Sequence, residues 1–509
     1  MPAGPLVGID IGSQQIKLVE MRPGKTGLVV SALGLGPTPP GIIQNNIITD
    51  PAALGLAVKQ LMKDSGISVK RAVGCLSGQN AVVIRIIEVP RMTDAELKET
   101  MKWEVERHVP FAPSETVLDY QPLVPLTPEA ASGPNMEVLL AVAQQDAVNS
   151  YLDTLYAAGL DPIALDVEPL ALSRALLDLQ SGQPVSRPQM PTGEQAFLGG
   201  GLPSETVAIV NIGAANTDIA IFQGDQLAFP RSLPLAGDSL TRAIAEALQF
   251  PVEQAERIKR ELGVVQLDRM AVYTGTGFGE EEEAGYEAPQ FQDEDNFGAA
   301  ESLSMPNPFG TEPEPEADPF RTTPSGRLGA EPLFDDTRRT QPMSRRTLNL
   351  ARPLASDIPP AFLPPEDDLG FGLAGAGGVG DEQMRNDIFE AIAPVLGELA
   401  SEIRRSLDYF RSRGASAVID RVLLTGGTAN LTNLAAFLQN ELQAPVAVAA
   451  PLSGLSVTSK HFDPSYLPTI GSAFTVALGL SAREAVFSAN PVPKAPKPPK
   501  APKAAKTTS

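Results

Sequence analysis

The strongest constraint in this chain is a pattern that occurs twice. Residues 7–21 read VGIDIGSQQIKLVEM and residues 208–222 read AIVNIGAANTDIAIF. Each starts as an apolar strand, carries a polar residue near its end (Asp10, then Asn211), turns at Ile-Gly, and continues into a second, alternating strand. A strand-glycine-strand loop lets backbone N–H groups approach an anion closely, because glycine has no Cβ to hold it off. Two copies predict two similar α/β domains facing one another across a cleft. One loop from each could then hold a triphosphate from both sides.

At 509 residues the chain is long enough for two or more cores. Its net charge of −21 argues against general nucleic-acid binding, which needs a basic surface. The charge is uneven: between Glu280 and Asp368 there are 20 acidic residues and 7 arginines, a net of −13. Cys75 is the single cysteine, within an apolar stretch, so no intramolecular disulfide can form and a reducing cytoplasmic setting is expected. The amino terminus lacks the charged start and apolar core of a signal peptide. No apolar run approaches the roughly 20 residues that span a bilayer. The expectation is a soluble intracellular protein that meets a membrane only through a partner.

Along the chain, residues 1–89 alternate strand and helix signals, with Asp50-Pro51 opening a helix through Leu54, Val58, Leu61 and Met62. A unit at 90–160 follows. Thr93 and Glu96 have capping-box spacing, and Leu97, Met101 and Val105 recur on one face of the helix they open. Trp103 stands about 240° from Leu97 around that helix, so it either packs against a neighbouring strand or presents an aromatic anchor; we assign it to partner binding. Residues 161–183 return to the first domain, and 184–204 read as a Gly/Pro-rich linker. The second domain is expected at 205–279 and 381–486. Between its two parts, 280–380 is acidic and rich in proline and glycine, too poor in apolar surface to offset ordering, and is expected to be disordered. The tail at 487–509 has lysines at 494, 497, 500, 503 and 506, a spacing of three that matches the polyproline II turn. It reads as a solubilising segment, or as a basic stripe for acidic lipids or for the acidic insertion.

Three glycine turns carry the candidate chemistry. In the first, Gly12 exposes backbone donors, Ser13 adds a hydroxyl, and Asp10 could hold Mg²⁺ through its water shell. The second is the loop after Asn211, and the third is Leu424-Thr425-Gly426-Gly427-Thr428. GAGGVG at 375–380 follows no strand and is set aside as a dinucleotide site. His108 and His461 are the two histidines, too far apart in sequence to indicate a metal cluster or a triad.

The order of these segments carries a resemblance: GIDIGS, then IALDVEPLAL (163–172), NIGAANTD, GDSLT (237–241), Glu256-x-x-Lys259, LTGG and Gly471. It resembles the actin-like ATPase superfamily, with an FtsA-like architecture. The run VPRMTDAELKETMKWEVERHVPFAPSETVLDY makes it most similar to the PilM family of type IV pilus assembly. The resemblance implies a two-domain actin-like α/β fold with an extra subdomain at 90–160. It implies phosphate contacts from Gly12, Ser13, Gly213 and Ala214, with Lys17 near the first loop. Gly237 and Asp238 would belong to the same site. Gly426, Gly427 and Thr428 would bound adenosine on one side, Glu256 and Lys259 on the other. ATP and Mg²⁺ are the implied cofactors, Asp10 organising the metal, and Asp10 and Asn211 occupy the catalytic positions.

One departure weighs on function. The superfamily usually has Asp where this chain has Asn211, and a neutral amide orients water but is a poor base. Asp218, seven residues on, is expected to lie too far along the strand to replace it. The reading is therefore an ATP-binding cytoplasmic adaptor, peripheral to the inner membrane, with slow hydrolysis at most. Its partner would be the cytoplasmic peptide of a PilN-type inner-membrane protein, with pilus motor ATPases and self-association as further contacts. The alternative is an active ATPase of the actin/FtsA family, such as a cell-division scaffold; a small-molecule kinase lacks a convincing catalytic Asp.

Overall fold

In a computed structural model of the chain, the described residues are 4–24, 27–123, 132–179, 205–274, 379–413, 418–459 and 466–485. The expected linker, tail and acidic insertion, the last up to residue 378, lie outside them, as does His461. The described residues belong to one unit, Met1–Phe278 with Pro360–Ser509, and Gly279–Pro359 divides off from it.

Two sheets follow one plan. In the first, β1 (Leu6–Ile11), β2 (Gln15–Pro23) and β3 (Leu28–Pro37) form an antiparallel meander. A small hairpin, β4 (Ile43–Gln44) and β5 (Ile47–Ile48), follows. β6 (Arg71–Leu76) then lies parallel to β1. An inserted unit contributes β7 (Val82–Pro90), β8 (Thr116–Pro122) and β9 (Asn135–Gln144), after which β10 (Asp161–Val167) lies parallel to β6. In the second sheet, β11 (Thr206–Ile212), β12 (Thr217–Gln223) and β13 (Gln226–Leu233) form the meander, and β14 (Arg421–Thr425) and β15 (Val446–Val448) add in parallel. The strand orders β10-β6-β1-β2-β3 and β15-β14-β11-β12-β13 are thus the same arrangement built twice.

Helices cover both sheets. Asp50 caps Pro51–Asp64, its carboxylate accepting from the Ala53 amide at 3.0 Å. That helix packs Leu54, Val58 and Leu61 with Tyr151 and Leu155 of Gln145–Ala157 against the first sheet. The second sheet carries Gly237–Leu248, Val252–Leu262, Leu267–Thr274 and the 34-residue Val379–Ser412, which runs through Pro394. A shared apolar cluster joins the domains: Leu6, Val19 and Val73 from one sheet, Val207, Ile209 and Phe222 from the other, and between them Glu168–Ser173 and Thr475–Ser481. Late segments return to the first domain. β16 (Ser456–Val457) pairs with β3, and Thr475–Ser481 packs on β1.

The inserted unit is a three-stranded antiparallel sheet, order β7-β9-β8, under the helix Asp94–His108. Both halves of the capping box form: the Thr93 amide donates to Glu96 at 2.9 Å and the Glu96 amide to the Thr93 hydroxyl at 3.4 Å. Leu97, Met101 and Val105 are buried against Ile87, Val89, Val138, Leu140 and Val142. Trp103 is 69% exposed, so of its two expected roles packing against a strand is excluded.

Candidate functional site

The two hairpins are duplicates down to single bonds. Each loop spans four residues, and the Gly12 amide donates to the Gln15 carbonyl as Gly213 donates to Asn216, both at 3.0 Å. The shared length sets a shared register. Asp10 lies opposite Lys17, its carboxylate 3.2 Å from the ammonium, and Asn211 lies opposite Asp218. The first hairpin therefore presents an acid and a base, the second an amide and an acid.

Between the loops opens a cleft of about 290 Å³. Its walls include Asp10, Gly12, Ser13, Lys17, Asn211, Gly213, Ala214, Glu256, Lys259, Gly426, Gly427 and Thr428, so the expected residues converge from segments up to four hundred positions apart. The second loop is tied back from behind. Its Gly213 carbonyl accepts from the Gly237 amide at 3.1 Å and the Thr428 hydroxyl at 2.8 Å, and its Ala214 carbonyl accepts from the Asp238 amide at 2.8 Å. Gly237 and Asp238 thus stand behind the loop. Asp238 also reaches across to the first loop, accepting from the Gln14 side chain at 3.2 Å.

With the carbonyls anchored away, the amides of Ser13, Gln14, Ala214 and Ala215 donate to no group among the described residues. The Ser13 hydroxyl is buried without a hydrogen-bond partner. Backbone donors turned toward the cleft at a glycine turn, with a buried hydroxyl beside them, are the chemistry of an anion site. Gly426, at φ +90°, holds the third turn where any Cβ would strike the Ile212 carbonyl and the Asn211 side chain. A Cβ on Gly427 would meet nothing within 4 Å, which leaves room beside the turn. The donor set fits a nucleotide polyphosphate.

Lys259 lines the cleft and is also anchored from behind it. It is buried, and its ammonium donates to the Gly237 carbonyl at 2.9 Å and the Thr241 hydroxyl at 2.8 Å and pairs with Glu256 at 2.6 Å. Its three protons are committed inside the protein, and it braces the helix behind the second loop. Burial pushes its pKa down, with Glu256 opposing. Burial raises the Glu256 carboxyl, but Lys259, Thr241 and Arg260 outweigh it and leave that carboxyl below its ordinary range.

The floor of the cleft holds two residues that sequence reasoning missed. Glu168, at the start of its helix, accepts from the Asn211 amide nitrogen at 2.5 Å and is buried. Burial first, then the charge of Asp218, hold its carboxyl well above the usual range. Asp218 is not too far along the strand: it sits directly across from Asn211 and lines the same cleft. Burial raises its pKa from 3.8 to about 6. Equal loop length was the signal for Asp218, since counting four residues across the turn pairs 211 with 218. Glu168 had only the turn-like Glu-Pro after a strand. Among the described residues no three His, Cys, Asp or Glu side chains form a metal cluster.

The profile described as type IV pilus assembly protein PilM matches residues 8–267, half of the chain. The chain belongs to the PilM family. A second profile, cell division protein FtsA, matches residues 208–471. A solved PilM-PilN type IV pilus biogenesis complex is 26% identical, with a TM-score of 0.60 over 94% of this chain and 98% of that one. FtsA of Bacillus subtilis (strain 168) is 24% identical over 285 residues, 52% of this chain and 59% of the relative. FtsA of Neisseria meningitidis is 20% identical over 274 residues, 51% and 62%. The chain thus spans about three fifths of the length of these FtsA relatives. In this PilM-family chain the two sheets are built alike, and a three-stranded unit is inserted into the first. No helix among the described residues is long and apolar enough to cross a membrane.

Proposed function

We propose that this PilM-family chain is an ATP-binding adaptor of the type IV pilus machinery, working at the cytoplasmic side of the inner membrane. The observation that carries the nucleotide reading is the facing pair of loops, with free amides on each and the orphaned Ser13 hydroxyl between them. Gly12, Ser13, Gly213 and Ala214 would hold the phosphates, and Gly426, Gly427 and Thr428 would bound the nucleoside opposite Glu256. Asp10 would hold Mg²⁺ through water, and the metal would supply charge neutralisation at the phosphates. Lys17 holds the Asp10 carboxylate in place through their 3.2 Å contact.

Hydrolysis is expected to be slow. Asn211 spends its amide N–H₂ on Glu168 and cannot accept a proton as a carboxylate would. A switch needs only that nucleotide-bound and free states differ in affinity for a partner. The relative solved as a PilM-PilN complex supports a PilN-type partner, reached through that protein's cytoplasmic peptide. The exposed Trp103 supports the extra subdomain as the contact surface. An FtsA-like scaffold is the second reading, favoured by the FtsA matches.

Single-turnover ATP hydrolysis measured beside nucleotide binding tests the first part. Tight binding with slow turnover supports it, whereas rapid turnover abolished by Asp10→Ala removes the adaptor reading in favour of an ATPase. Titration of a labelled amino-terminal PilN peptide with and without ATP tests the second. A folded protein that binds the peptide in neither state is not a pilus adaptor of this kind.

A further inference from the structure

The extra subdomain is joined by the chain to the first domain, yet it leans on the second. β7 begins a few residues after β6, whose end, with Leu76 and Ser77, lines the cleft. Within that short connection the Gln79 side-chain amide donates to the Ser232 carbonyl on β13. Ser232 lies in register with Asp218 on β12, and Asp218 is a wall of the cleft. Farther along, Ile86 of β7 and Leu139 of β9 pack against the apolar cluster that contains Phe222 of β12 and Leu227 of β13. The Gln144 amide closes the base of the subdomain onto the Ala81 carbonyl at 2.9 Å.

A body attached covalently to one domain and resting on the other cannot stay still when the angle between them changes. Either β7 slides along β13 or the subdomain is carried to a new position. We propose that the seam between β7 and β13 transmits the state of the cleft to the extra subdomain, with Gln79 as the positioning residue that locks the seam. The inference rests on the cleft binding a nucleotide. The Gln14–Asp238 bond also joins the two domains, at the first loop.

Hydrogen exchange on the full chain, with and without saturating ATP and Mg²⁺, tests this. In the wild type, ATP should slow exchange both in the loops at 12–15 and 213–216 and along Val82–Pro90. In Gln79→Ala the loop protection should persist, while the ATP-linked slowing along Val82–Pro90 falls by about three- to tenfold, the span of one exposed hydrogen bond. Gln79→Glu, which sets a carboxylate against the Ser232 carbonyl, should lose the response equally. An unchanged Val82–Pro90 response in both Gln79 variants, or wild-type loops protected while that strand is indifferent, overturns the proposal. Protection in neither place removes the nucleotide reading as well.

Discussion

Asn211 sits where two demands meet. Its nitrogen satisfies the buried Glu168 carboxyl, while its neutrality leaves position 211 without a base. Asn211→Asp should raise single-turnover hydrolysis by about ten- to a hundredfold, near the lower range for a positioned base. The same change removes the donor from Glu168 and adds a like charge beside it, so the melting temperature at neutral pH should fall. Asp218 offers a second test. The folded state holds its proton up to about pH 6, whereas the unfolded chain releases it near 3.8. Raising the pH through that window therefore costs stability, and Asp218→Asn removes the cost. The variant should be the more stable protein above about pH 6 in denaturant titrations, with the advantage shrinking toward pH 4. The ionised pairs at this scale were legible from residue type and spacing. The raised carboxyl of Asp218 was not, because desolvation depends on what surrounds a group, and nothing local to Asp218 announces burial.

The helix Asp94–His108 shows how far an element can be read. Its capping box and its Leu97/Met101/Val105 stripe are sequence patterns with local causes, and both form. Thr93→Ala should cost about 1 kcal/mol. Met101→Ala should cost about 2–5 kcal/mol, because its side chain is fully enclosed under β7 and β9. Trp103→Ala should leave the denaturation midpoint within about 0.5 kcal/mol of wild type. The same substitution should weaken partner binding by about tenfold if this face is the contact surface. β3 was illegible by comparison. In its SALGLGP stretch, Gly34 and Gly36 leave room for Leu61 and Ser65, at and just past the end of the covering helix, to press onto the strand. A neighbour about thirty positions distant in no way marks the local sequence.

At the scale of the whole molecule a buried ion pair ties the first sheet to a helix from the end of the chain. Arg174 contacts Asp166 at 2.5 Å and donates to the Gly479 carbonyl at 2.9 Å, joining β10 to the helix Thr475–Ser481. Arg174→Ala would leave a buried carboxylate with Arg483, at 3.2 Å, and the Val167 amide, at 2.8 Å, to offset it. It should cost about 3–5 kcal/mol by denaturant titration. Nucleotide should act in the opposite direction, stabilising the folded chain by about 2.7 kcal/mol at a hundred times its dissociation constant. Ser13→Ala should raise the concentration needed for a given thermal shift, because it deletes the buried hydroxyl that lacks a partner.

The doubled hairpin, the loop glycines, the capping box and the family order were written in the chain itself, because each depends on neighbours within a few residues or on the order of segments. Tertiary structure alone decided that Lys259 is spent on bracing, that Asp218 faces Asn211 beside Glu168, that Thr475–Ser481 returns to β1, and that the extra subdomain rests on both domains. Each is an outcome of packing between distant segments, where burial and the satisfaction of every polar group select one arrangement among many that the same local sequences allow.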